Sequence, residues 1–185
     1  TIVNLYANYT ERMRDEVGSK FQVVVHKPTT SDYEGVIKVM NNAIGSGEEV
    51  FGNVYWISGI SAGVNVNASN TNRLYDGEHT VDMSEANTQA KLITAVENGF
   101  YALHRVGDTF RVLKDINSYV SFTTDKNEDF SSNQVIRVID QIAIDTANIF
   151  NTRYLGKVPN DADGRISLWN DLLTHRLELQ RLRAI

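Results

Sequence analysis

The chain has 185 residues, of which 42% are hydrophobic and 22% are charged, so it can bury a core as one folded domain and shows no sign of disorder. Its formal net charge of -5 argues against broad binding to nucleic acid, and the absence of cysteine excludes disulfides, thiol nucleophiles and thiolate metal sites. No apolar run reaches about 18 residues, which argues against insertion into a membrane, and the scattered histidines indicate neither a metal site nor another cofactor.

The first quarter of the chain predicts a helix followed by two strands. Apolar residues recur every four positions over residues 4–17, which is the spacing of a helical stripe, and Gly18 ends that helix. The run at residues 21–25 is typical of a buried strand, and residues 33–40 predict a second strand. Gly45-Ser46-Gly47 predicts a turn.

The middle of the chain is less regular. Residues 50–68 fit either a strand or a tightly packed helix of small residues, and the pattern leaves both open. Ser84 can cap a helix that Gly99 ends. Two apolar runs, 100–106 and 110–116, then predict a β-hairpin around an intervening Gly-Asp-Thr turn.

Two long helices are predicted in the last third. Residues 131–154 carry a wide apolar stripe, which predicts a long helix that packs against a sheet. Residues 163–185 predict a basic amphipathic helix, with Asp161 and Asp163 at its start as turn formers and N-cap. We therefore expect residues 1–185 to form a single α/β domain, an α+β arrangement with a mixed sheet packed by helices.

Charge is divided unevenly along the chain. Residues 76–98 hold five acidic residues and one lysine, whereas residues 165–185 hold two acidic residues and four arginines. These arginines are candidate residues for an interface with a partner of opposite charge: Arg165, Arg176, Arg181 and Arg183. An ordinary solvated helix face is the alternative.

One motif raises an enzymatic alternative. Residues 59–63 match G-x-S-x-G, in which Ser61 would be a serine hydrolase nucleophile, with Asp76 or Asp82 and with His104 as its partners. Close packing of small residues explains the same pattern, and His104 falls inside a predicted strand. We therefore favour the structural interpretation, with the hydrolase and a general binding module as alternatives.

The order and spacing of several segments resemble the C-terminal part of contractile tail sheath proteins of phages, prophage-like particles and R-type bacteriocins. These segments are MRDEVGSKFQVVV (13–25), SDYEGVIKVMN (31–41), YWISGISAGVNVNASNTNRLYDG (55–77), FRVLKDINSYVSFT (110–123), VIRVIDQIAIDTANIF (135–150) and YLGKVPNDADGR (154–165).

The resemblance implies a structural protein without enzymatic activity or cofactor. Such a subunit polymerises around a tail tube and contracts to drive the tube through the target cell envelope. Its implied partners are further copies of itself, the tail tube protein, and the baseplate and tail terminator proteins. It would be assembled in the bacterial host cytoplasm and located in the virion tail. We expect the basic final helix to face the tube.

The same resemblance implies that the chain is a fragment of a larger, multi-domain sheath subunit. Family members join their neighbours through terminal arms that add strands to an adjacent subunit's sheet. Both arms are expected to be absent from these 185 residues. We therefore expect the chain by itself to remain monomeric in solution.

Overall fold

A computed structural model describes residues 1–44 and 50–185, so the predicted turn at Gly45-Ser46-Gly47 lies outside the described residues. The described chain forms two compact units. The first contains residues 1–65 and 69–136, and the second contains residues 66–68 and 137–185. That residues 1–185 form a single domain stays a prediction.

Among the described residues, three α-helices lie wholly within the first unit. They are α1 (Ile2–Arg12), α2 (Asn53–Gly63) and α3 (Gln89–Glu97). A π-helical turn at Met13–Val17 extends α1, and Gly18 ends it with a φ of 82°. This left-handed conformation favours glycine, as the sequence predicts.

Three small sheets accompany these helices. Strands β1 (Val23–His26) and β2 (Val36–Val39) pair in parallel, and β5 (Phe100–Tyr101) pairs in parallel with the other edge of β2. Two antiparallel pairs complete the unit: β3 (Ala43–Ile44) with β4 (Thr80–Val81), and β6 (Leu103–Val106) with β7 (Thr109–Val112). The predicted combination of helices with parallel and antiparallel pairing is confirmed.

The core of the first unit lies around β2, all four residues of which are buried. Ile37 and Val39 belong to the main cluster, together with Ile57 of α2 and Tyr101 of β5. Because side chains alternate along a strand, Val36 belongs to a second cluster, which includes Ala7 of α1.

Several boundaries differ from the predictions. Residues 50–68, left open by the sequence, contain α2. The helix expected to begin at Ser84 begins at Gln89, because the hydroxyl of Thr88 accepts the hydrogen bond from the Lys91 amide. The hairpin is shorter than expected, because Phe100 and Tyr101 pair with β2 instead.

The second unit is dominated by a helical hairpin. Helix α4 (Asn133–Ile149) begins in the first unit, continues through the second, and ends in a π-helical turn at Phe150–Tyr154. Helix α5 spans Ala162–Arg181. In this hairpin Asp145 of α4 contacts His175 of α5, and Phe150 is exposed. That the long helix packs against a sheet stays a prediction. None of the described helices is long and apolar enough to cross a bilayer.

Candidate functional site

The candidate site is built on α5, whose start is fixed by the turn before it. The carboxylate of Asp161 accepts a hydrogen bond of 2.8 Å from the Gly164 amide, and thereby satisfies one of the free N–H groups at the helix start. Gly164 is buried against the carbonyl of Pro159, where any side chain would collide. The helix therefore leaves this turn in a defined direction.

One face of α5 packs inward against the rest of the helical hairpin. Leu179 on this face is buried. Asp171 accepts hydrogen bonds from Arg153, at 3.1 Å, and from the Tyr154 hydroxyl, at 3.0 Å. These two hydrogen bonds lower the pKa of the Asp171 carboxyl from its usual value. His175, one turn further along, donates to Asp145 at 2.8 Å.

The opposite face of α5 is also apolar, although it is exposed. Its large side chains follow the spacing i, i+3, i+7 and i+11, so they lie on one stripe. They are Ile166, Trp169, Leu173 and Leu177, with relative exposures of 58, 66, 45 and 55%. A helix that is apolar on both faces is typical of burial on both sides, and a contiguous exposed apolar patch marks an interaction site. We call this stripe, with the flanking Arg165 and Arg176, the outward face of α5.

The structure separates the four candidate arginines into two groups. Arg165 and Arg176 are exposed and lie eleven residues apart, which is three turns, so both flank the same stripe. One guanidinium nitrogen of Arg165 donates to the Asn160 side chain at 3.1 Å. Within the described residues Arg176 forms no ion pair.

The other two arginines lie beyond Leu177, the last residue of the apolar stripe. Arg181 donates two hydrogen bonds, of 3.0 and 2.6 Å, to Glu178 in its own helix, and this contact lowers the pKa of the Glu178 carboxyl. Arg183 follows the helix in a left-handed conformation, with a φ of 58°. A count of charges in the sequence treats the four arginines alike, because it does not show which of them form ion pairs within the helix.

A shallow cavity of about 290 Å³ lies beside the start of the outward face. Its lining is largely apolar and includes Phe150, Leu155, Val158 and Leu168, with Arg165 among the polar residues. Leu155 is 59% exposed. The turn between α4 and α5 therefore extends the apolar surface beyond α5 itself.

The serine hydrolase alternative is not supported by the structure. Ser61 lies in the last turn of α2, whereas a nucleophile elbow requires a sharp turn from a strand into a helix. The Ser61 hydroxyl oxygen is buried and has no hydrogen-bond partner among the described residues, so His104 is not positioned as its base. His104 lies on β6 beside Arg111, and its pKa is lowered by burial and by that arginine.

Comparison with protein-family models accounts for nearly the whole chain. The model of the phage tail sheath protein central domain matches residues 1–118. The model of the phage tail sheath C-terminal domain matches residues 125–185. The chain belongs to the phage tail sheath protein family. The resemblance predicted from the sequence is thereby confirmed.

This sheath chain is also similar to individual proteins over most of its length. It matches the crystal structure of the sheath tail protein from Desulfitobacterium hafniense with a TM-score of 0.87 and 34% identity, over 97% of this chain and 42% of that one. The tail sheath protein of Clostridium phage phiCD119 is 27% identical over 160 residues, 85% of this chain and 44% of that protein. The phage-like element PBSX protein XkdK of Bacillus subtilis (strain 168) is 32% identical over 142 residues, 74% of this chain and 30% of that protein.

The sheath chain thus spans less than half the length of each of these relatives. The family gives it a structural role in a tail sheath. That role agrees with a candidate site that is an exposed apolar surface flanked by arginines.

Proposed function

We propose that this chain acts in a structural subunit that polymerises around a tail tube and contracts to drive the tube through a target cell envelope. The observation that carries the proposal is the outward face of α5. It leaves four large apolar side chains exposed to water. Burial of these side chains by a partner would lower the free energy of the assembly.

The tail tube is the partner that we assign to the outward face. Arg165 and Arg176 flank the stripe at the same side, three helical turns apart, and would attract acidic side chains on the tube. Full burial of a large apolar side chain contributes about 1.5–3 kcal/mol. The apolar stripe would therefore supply affinity, while the two arginines supply orientation and selectivity.

Further copies of the subunit are the second class of partner. Within the described sheet β1 pairs only with β2, so the N–H and C=O groups on its other edge can accept an added strand. Strand addition by the arm of a neighbouring subunit would link subunits into rings and stacks. Baseplate and tail terminator proteins would bind the two ends of the stack in the virion tail.

Contraction in this proposal uses no nucleotide and no catalytic residue. The extended assembly would hold subunits with incompletely buried contacts, and the contracted assembly would bury them more fully. A change of this kind needs only a difference in contact free energy between two arrangements.

Charge reversal of the outward face tests the assignment to the tube. In the protein that carries this sequence, Arg165→Glu combined with Arg176→Glu should leave the fold intact, because changes at exposed positions usually alter stability by less than about 0.5 kcal/mol. Co-sedimentation with assembled tail tubes should fall at least tenfold.

The matched control is Arg181→Glu combined with Arg183→Glu, which changes the net charge equally but lies beyond Leu177, the last residue of the stripe. Tube binding by this control should stay within about twofold of the unmodified protein, as expected for charges outside an interface. Equal losses from the two pairs would mean that bulk charge, rather than this face, governs attachment.

A further inference from the structure

The helical hairpin of α4 and α5 has a thin core. Of residues 137–185, all described, only four are buried: Val138, Tyr154, Gly164 and Leu179. Apolar packing among so few side chains distinguishes poorly between neighbouring registers of two helices, because it is not directional. Something else must determine how far α5 is shifted and rotated against α4.

Two groups of hydrogen bonds join the inward face of α5 to the other arm of the hairpin. In the first group, one oxygen of Asp145 accepts from His175 of α5, at 2.8 Å, and from Gln141 of its own helix, at 2.9 Å. Both side chains of the His175–Asp145 pair are largely shielded, with relative exposures of 18 and 28%.

The second group lies one helical turn of α5 closer to the turn that joins the two helices. One oxygen of Asp171 accepts from Arg153 and from the Tyr154 hydroxyl, and that hydroxyl also lies 3.0 Å from the Ser167 hydroxyl. Asp171 and His175 are four residues apart, so both lie on the inward face of α5. We call the two groups together the α4–α5 polar contacts.

We infer that the α4–α5 polar contacts set the register of α5, and that Asp145, Asp171 and His175 are therefore positioning residues for the outward face. A hydrogen bond at these distances tolerates neither a shift of one residue nor a rotation of α5. Polar groups in a helix interface are well attested as determinants of register, often without adding stability. The significance of this register for tube attachment rests on the proposed function, but the register itself is measured without a tube.

The absence of cysteine allows a direct measurement of the register. Cysteines introduced at Ile144 of α4 and Leu177 of α5, both exposed, would carry spin labels in the 185-residue chain. Double electron–electron resonance then reports the distance between the two helices. The chain with the polar contacts intact should give one narrow distance distribution.

Three variants separate register from stability. His175→Leu removes the hydrogen bond but keeps an apolar contact, so we expect a distribution at least twice as broad with unchanged helical circular dichroism. His175→Gln can still donate to Asp145 and should keep the narrow distribution. The control is Glu178→Gln with Arg181→Gln, which removes an ion pair of 2.6 Å inside α5 and should also keep the distance distribution narrow.

Three results would overturn the inference. A narrow, unshifted distribution in His175→Leu would show that packing sets the register. Equal broadening in His175→Gln would show that the site responds to any change of shape. Loss of the helical signal in His175→Leu would show that the contact maintains the fold rather than the register. Unchanged tube binding by the outward-face variants, together with a narrow distribution, would overturn the proposed function and leave this inference standing.

Discussion

Gly164 occupies a position in α5 where the absence of a side chain is required. A Cβ atom there would collide with the Pro159 carbonyl, which belongs to the turn that leads into the helix. Gly59 in the middle of α2 is the opposite case, because, apart from its chain neighbours and the adjacent backbone of its own helix, no described atom lies within 4 Å of its Cβ position. The two residues share a helical setting and differ in their surroundings.

Alanine at these two glycines should therefore have opposite effects. Gly164→Ala should lower the free energy of unfolding by about 1–2 kcal/mol, since the steric cost exceeds the gain in helix propensity. Gly59→Ala should raise it by about 0.5–1 kcal/mol, because only the propensity changes. Urea denaturation of the 185-residue chain measures both. A stabilising Gly164→Ala would mean that the turn before α5 is not as described.

Asp171 gives the hairpin a defined dependence on pH. Hydrogen bonds from Arg153 and Tyr154 hold the pKa of the Asp171 carboxyl below its usual value, so the folded chain binds its proton more weakly than the unfolded chain. This stabilisation is complete above the unfolded pKa of about 3.9 and is lost as the pH falls through the lower, folded value.

Substitution of Asp171 by asparagine isolates that contribution. The difference in stability between the unmodified chain and Asp171→Asn should be constant above about pH 5 and should shrink as the pH falls below about 4. Chemical denaturation at a series of pH values measures it. A difference that does not change between pH 6 and pH 2 would show that Asp171 is not held in its charged form.

At the scale of elements, α5 differs from an ordinary amphipathic helix because both of its faces are apolar. Leu179 on the inward face is 5% exposed, whereas Leu173 on the outward face is 45% exposed. Leu179→Ala should therefore cost about 2–5 kcal/mol, as expected for a buried leucine. Leu173→Ala should cost less than about 0.5 kcal/mol in the isolated chain.

Guanidinium denaturation of the two leucine variants provides the measurement. If Leu173→Ala is as destabilising as Leu179→Ala, then the outward face is already covered in the isolated chain and cannot serve as a free interface. If neither variant is destabilising, then α5 does not pack on the hairpin as described.

The sequence predicts a basic amphipathic helix at the position of α5 but not its second apolar face. The apolar residues near Ile166 and Leu179 together look like one broad stripe, and only packing shows which of them point inward. Helix α1 presents the same difficulty. Its recurrent Leu5 and Tyr9 are 68 and 48% exposed, and its buried residues are the small Ala7 and Thr10. Apolar spacing shows that residues share one face of a helix, but not whether that face is buried or exposed.

Local hydrogen bonds and packing decide other element boundaries that the sequence predicted wrongly or left open. Ser84 and Thr88 both have side chains that can cap a helix. Residues 84–88 form bends, and it is the Thr88 side chain that accepts a hydrogen bond from the Lys91 amide, so the helix begins after Thr88. In residues 53–63, β-branched and aromatic residues come first and small residues follow, so secondary-structure propensity alone did not distinguish a helix from a strand. Their burial against β1 and β2 decides for the helix.

At the scale of the whole molecule, the family was predictable from the sequence because it depends on the order and spacing of several segments. The outward face was not, because it depends on which side of α5 packs against the rest of the helical hairpin. The four arginines illustrate the difference: the charge count identified all four, whereas the proposal for Arg165 and Arg176 rests on their positions beside the apolar stripe.

The central claim is that this chain belongs to a subunit that works by binding copies of itself around a tube. Negative-stain electron microscopy of the protein that carries this sequence, produced together with its tail tube protein, tests that claim most directly. We expect striated sheaths around the tubes, and bare tubes beside unattached sheath protein when Arg165→Glu and Arg176→Glu are combined. Monodisperse particles that never associate with tubes or with each other, under all buffer conditions, would contradict the account.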